Sequence, residues 1–165
     1  MNTLERYPSW IVLVSYFLAF AIYGLGLFIV FQVHWAFAAI YLVYVLALEV
    51  RLVKNHCTNC YYWGKVCGFG RGSVSALFFK QVDPHKFCNL EITWKTMIPD
   101  FLVWIIPVVT AIVLLIIHFS GLLLLALLVL LILTMVGNAT VRGKLTCIYC
   151  KQREIGCPAD KLFSK

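Results

Sequence analysis

The sequence predicts an all-α integral membrane protein with four transmembrane helices. They form two tandem helical hairpins, a parallel internal repeat in which each hairpin is followed by a cytoplasmic C-x2-C-x6-C segment. Three observations carry that prediction. The chain of 165 residues is 62% hydrophobic and 13% charged, with a mean hydropathy of +0.91, far from the composition of a soluble domain. Two long runs carry no formal charge, 42 residues from Tyr7 to Leu48 and 41 from Phe101 to Val141. The spacing of Cys57, Cys60 and Cys67 returns ninety residues later in Cys147, Cys150 and Cys157, as an internal duplication would leave it.

About 20 helical residues cross a hydrocarbon core of about 30 Å, so each uncharged run holds two helices and a tight turn. The first span is predicted from Trp10 to Phe31, introduced by Tyr7-Pro8-Ser9. Proline suits a first helical turn because its missing N–H would be unpaired there anyway. This span is too long for a removable signal peptide and lacks the small-residue cleavage pattern, so it is expected to stay in the mature protein. Gln32-Val33-His34 is the polar cluster that turns the chain, and the second span runs from Trp35 to Val53. Gly24 and Gly26 are of a kind common in membrane helices, and also permit another helix, or a second copy of the chain, to approach closely. Glu49 is the one acid inside an apolar span. It is expected to snorkel to the interface or to pair with Arg142 of the other half.

After the first cysteine segment comes Gly68-Phe69-Gly70-Arg71-Gly72, then Ser73 to Lys80, which reads as a short helix lying at the lipid interface or buried. Asp83-Pro84-His85 and Cys88 belong to a turn back to the membrane. The third span is predicted to open at Ile98-Pro99-Asp100-Phe101, with Asp100 as a helix-start residue and Pro107 as a kink. His118-Phe119-Ser120-Gly121 is the second hairpin turn, and the fourth span runs from Leu122 to about Thr140. The organisation is therefore a first repeat over 1–67, a cytoplasmic linker over 68–97 and a second repeat over 98–165.

Orientation follows from the fourteen Lys and Arg residues: Arg6, seven from Arg51 to Lys95, six from Arg142 to Lys165, and none in either hairpin turn. Basic residues stay cytoplasmic, so both termini and the middle loop are expected there. The net charge of +7 is then a topology signal that also attracts anionic lipid headgroups, and gives no reason to expect nucleic acid as a partner. All seven cysteines fall in the reducing compartment, which argues against structural disulfides, and the sequon Asn138-Ala139-Thr140 is expected to be silent.

Six thiols in repeated C-x2-C-x6-C segments form a soft donor set. A C-x2-C turn lets two sulfurs converge on one ion, which makes zinc the first occupant to expect and an iron–sulfur cluster or iron the alternative. Two partitions stand open. Cys57, Cys60, Cys147 and Cys150 close one site across the repeat axis, or each triplet holds its own metal, the first completed by His56, His85 or Cys88. A redox dithiol, or thiols packed as small apolar residues, are the other readings of the same spacing. Gly68, Gly70, Arg71 and Gly72 form a weaker candidate, a flexible turn or a cradle for a phosphate or lipid headgroup. No predicted strand precedes them, so neither a Walker loop nor a dinucleotide fingerprint is supported. No catalytic residue is assigned: the sequence holds no HExxH, no G-x-S-x-G and no carboxylate cluster of the kind that holds magnesium.

The function expected is non-enzymatic, a metal-clamped membrane module that serves in assembly, with a protein partner or a second copy, or that binds lipid. The alternative is an oxidoreductase working with a lipid-soluble carrier through an iron–sulfur centre or dithiol. A small transporter or metal sensor rests only on Glu49 and the parallel repeat.

Overall fold

The computed structural model describes residues 3–83 and 93–157, which are helical apart from turns and one isolated bridge between Leu4 and Cys150. Helix α1 (Ser9–Phe31) and α2 (Trp35–Asn55) form the first hairpin, joined at Gln32-Val33-His34 as the polar cluster required. His34 caps α2, its Nδ1 accepting from the Ala36 N–H at 3.2 Å. A short helix α3 (Arg71–Phe78) comes next, then α4 (Trp94–Ile117) and α5 (Gly121–Ile132). The α5 rod does not stop at Ile132. It continues through wide π turns over Leu133–Gly137 and Ala139–Thr146, and a last short helix, α6 (Gln152–Ile155), lies beyond them.

Four helices are long and apolar enough to cross a membrane, consistent with a multi-pass membrane protein. Their outer surfaces are aliphatic and aromatic. Leu13, Phe17, Phe20, Ile40, Val43, Ile116 and Leu125 are all largely exposed, which is tolerable in lipid and not in water. The interior is organised around α1, which packs against α2, α4 and α5. Leu18, Ile22 and Ile29 of α1 meet Ala111 of α4 and Leu123, Ala126, Leu127 and Leu130 of α5 in one cluster, while Val30 meets Tyr41 and Val45 of α2 in another.

Two glycines explain how close these rods come. A Cβ on Gly26 would overlap the Tyr41 hydroxyl and crowd the Pro107 ring, so Gly26 is where α2 and α4 press onto α1. A Cβ on Gly137 would strike Leu18. Gly24, by contrast, faces open space. The π turns around Gly137 coincide with side chains that bond back to the helix: Thr134 to the Leu130 carbonyl at 2.8 Å, Asn138 to Thr134 at 3.0 Å and Thr140 to Val136 at 2.8 Å.

One boundary differs from the sequence-based expectation. α4 starts at Trp94, not at Pro99, because Thr93 forms a capping box with Thr96: the Thr93 N–H donates to Thr96 Oγ1 at 3.2 Å, and the Thr93 side chain accepts from the Thr96 N–H. Pro99 and Asp100 therefore sit in the second turn. The Tyr44 hydroxyl donates to the Pro99 carbonyl at 2.8 Å.

Candidate functional site: the cysteine cap

At one end of the bundle the two cysteine segments come together with residues 3–7. Each begins at the end of a membrane helix with a single 3-10 turn, Cys57–Asn59 after α2 and Cys147–Tyr149 after α5. The residues before the turns have matching backbones, His56 at φ −107, ψ −47 and Thr146 at φ −112, ψ −60. The bonds that close the turns match as well: Cys60 N–H to Cys57 O at 3.3 Å and Cys150 N–H to Cys147 O at 3.2 Å. One turn later Trp63 N–H reaches Cys60 O and Arg153 N–H reaches Cys150 O, both at 3.1 Å.

The segments also dock on each other reciprocally. The Lys151 N–H donates to the Tyr62 hydroxyl at 3.0 Å, and the Tyr61 N–H donates to Gln152 Oε1 at 2.7 Å. Tyr61 and Lys151 are ninety residues apart, and so are Tyr62 and Gln152. Both side-chain acceptors are only 1% exposed.

The N-terminal residues strap the pair. The Leu4 N–H donates to Tyr149 O at 3.0 Å, the Tyr62 hydroxyl donates to Leu4 O, and Tyr7 donates its N–H to Val66 O at 3.1 Å and its hydroxyl to Thr146 O at 2.6 Å. Tyr7, Ile11 and Tyr62 form a buried cluster against which Cys60, Cys67 and Cys150 pack. Burial raises the Tyr7 phenol and pushes Tyr62 up to about 12, so both remain protonated donors at neutral pH.

None of the six described cysteines forms a disulfide; Cys147 is exposed and the others are half-buried. The Cys60 thiol lies within electrostatic range of Cys57, Cys67 and Cys157, and the Cys150 thiol within range of Cys60, Cys147 and Cys157. Burial pushes Cys60 up to about 11 and Cys150 to about 12, opposed in each case by a backbone N–H two residues on, from Tyr62 and Gln152 respectively. A third N–H, of Gly72, points to Cys67 Sγ at 3.3 Å. Among the described residues, however, no three Cys, His, Asp or Glu side chains converge closely enough to hold a metal ion. His56 is exposed at the end of α2, and His85 and Cys88 lie outside the described residues.

The glycine loop has a packing role. Gly70 adopts φ +71 at the start of α3, and a Cβ there would run into the Tyr16 ring. Gly68 lies against Thr146 and Tyr7, and a Cβ on Gly72 would collide with the Tyr62 and Lys65 carbonyls. The Ser15 hydroxyl anchors the loop to α1 by donating to Gly68 O at 2.7 Å. Arg71 turns inward to Glu49, its Nε donating to Oε2 at 2.8 Å and a terminal nitrogen to Oε1, while the Tyr23 hydroxyl donates to the same carboxylate. Burial opposes the Arg71 charge, but Glu49 outweighs it and raises the pKa. Glu49 thus pairs with Arg71 of the linker and with Tyr23 of its own hairpin. Arg142, the partner expected from sequence, stands nearby with its guanidinium 5.6 Å from the centre of the Phe69 ring.

Sequence reasoning gave no contact to Tyr7, Gln152 or Tyr23, and read Tyr61, Tyr62 and Trp63 as an aromatic belt or a lid over the metal site. Tyr7 figured there only in the opening of the first span. Tyr62 and Gln152 differ chemically, so only a position-by-position overlay at the ninety-residue offset would pair them. No protein-family model, curated protein or solved structure matches this chain.

Proposed function

We propose that this chain is a small membrane protein whose two halves arose by duplication and are clamped at one face by a metal on cysteine thiolates, zinc first, as a module for membrane assembly or lipid binding. The supporting observation is the reciprocal docking of the two C-x2-C turns through Tyr61, Tyr62, Lys151 and Gln152, with Cys60 and Cys150 within electrostatic range of each other. Backbone N–H groups of Tyr62 and Gln152 partly offset the burial that keeps Cys60 and Cys150 protonated, and a metal would complete the conversion to thiolate by displacing those protons. Cys57, Cys67, Cys147 and Cys157 supply the further donors, and drawing them in would tighten a cap already held by hydrogen bonds. The excess of Lys and Arg on this side supports a cytoplasmic location for the cap, both termini and the middle loop.

The test is anaerobic purification in mild detergent with metal analysis and a visible spectrum on the same sample. Zinc near one or two per chain without colour is expected, falling to background in Cys60→Ser and Cys150→Ser. Iron with a brown absorbance would transfer the proposal to electron transfer. Neither metal in folded protein would end the clamp and leave thiol chemistry or packing.

A further inference from the structure

The geometry points to a phosphate site for a membrane lipid headgroup at Arg142, supported by the Phe69 ring and set beside the Glu49–Arg71 pair. On α5 and its extension Leu125, Leu128, Ile132, Met135, Ala139 and Arg142 succeed one another at steps of three and four, and all are exposed. Leu123, Ala126, Leu127, Leu130 and Val141 occupy the buried side. Arg142 thus ends the stripe that the fourth span turns outward. From the hairpin turn at Gly121, that is roughly 30 Å of helix, about one hydrocarbon thickness, so the guanidinium emerges at headgroup depth.

Arg142 lies within electrostatic range of Arg71, Glu49 and Tyr23. Two guanidiniums and one carboxylate leave the cluster positive, and Glu49 is already taken up by Arg71 and Tyr23. Among the described residues no carboxylate forms an ion pair with Arg142. Its guanidinium carbon lies 5.6 Å from the centre of the Phe69 ring, and among the described residues its N–H groups make no hydrogen bond, which leaves them to an anion. A phosphate diester at the membrane surface has the charge and the paired oxygens to fill it. Lys144, two residues on and also exposed, has no comparable support.

The inference rests on reading the four helices as membrane spans, and not on metal in the cap. The experiment is native mass spectrometry of the full chain in mild detergent, incubated with phosphatidylglycerol, with phosphatidylcholine, or with inorganic phosphate as competitor. One phosphatidylglycerol per chain is expected to survive activation, more than phosphatidylcholine. Arg142→Gln should lower retention about tenfold, the scale of a lost charge-assisted bidentate contact, and Lys144→Gln should leave it unchanged. Arg142→Lys keeps the charge without the fork and should lose several-fold; it decides the matter if Arg142→Gln is not recovered folded. Full retention in Arg142→Lys, or equal losses in Arg142→Gln and Lys144→Gln, would overturn the site in favour of diffuse charge. Displacement by millimolar inorganic phosphate would assign it to free phosphate instead of lipid. A chain that stays monodisperse without detergent would defeat the membrane reading itself, and zinc content reports on the cap alone.

Discussion

The first cysteine segment and the second share spacing, turn geometry and sulfur-directed N–H groups, yet they are held in place by different means. The first is embedded. Its third cysteine accepts from Gly72, the glycine loop fills the space against Tyr7, Tyr16 and Thr146, and Arg71 reaches back to Glu49 in the membrane. The second has an exposed first cysteine and leans on its neighbours: Tyr149 receives Leu4, Thr146 receives Tyr7, and Lys151 donates to Tyr62. A repeated spacing therefore specifies the turn, and the residues beyond the turn decide whether the segment supports itself. The second segment draws more of its support from outside itself than the first does, although Tyr61 of the first also donates to Gln152.

Three substitutions probe that asymmetry. The largest effect is expected from Gly72→Ala, whose new methyl meets two main-chain carbonyls that cannot swing aside. It should cost on the order of 3 kcal/mol and dissolve the anchor of the first segment, seen as a lower thermal midpoint and faster thiol alkylation at Cys67. An unchanged midpoint would mean that the loop is not the anchor. Tyr62→Phe comes next. It removes the hydroxyl that serves both Leu4 and Lys151 while keeping the ring, so about 1–2 kcal/mol is expected, with Cys150 becoming more reactive than Cys60 because the second segment is the dependent one. Equal reactivity gains at both thiols would make the two segments mutually dependent. The smallest effect belongs to Lys151→Gln. Lys151 holds the Glu5 carboxyl below its ordinary range through an exposed contact, and salt screens such pairs, so no measurable change in midpoint is expected. A clear drop there would show that surface charge between Lys151 and the N-terminal strap carries part of the stability of the cap.

By itself the sequence determined the parts that depend on composition and local spacing. Long uncharged runs cannot remain in water, so the four helices and both hairpin turns were legible, with His34 and His118 marking the breaks. The two C-x2-C turns were legible because their closing bonds span only three residues. The Thr93 and Thr96 capping box is just as local a signal, and taking Pro99 as the helix start in its place sets that start five residues late.

The tertiary structure alone decided the pairings. Glu49 had two arginines within reach, and only the path of the glycine loop brings Arg71 to it while leaving Arg142 outward. Tyr62 and Gln152 carry no motif, and become equivalent only when the segments stand face to face. Which groups meet across roughly 50 to 150 residues is set by how α1 packs against its neighbours. That packing sums many weak apolar contacts, none of which is written in a short stretch of sequence.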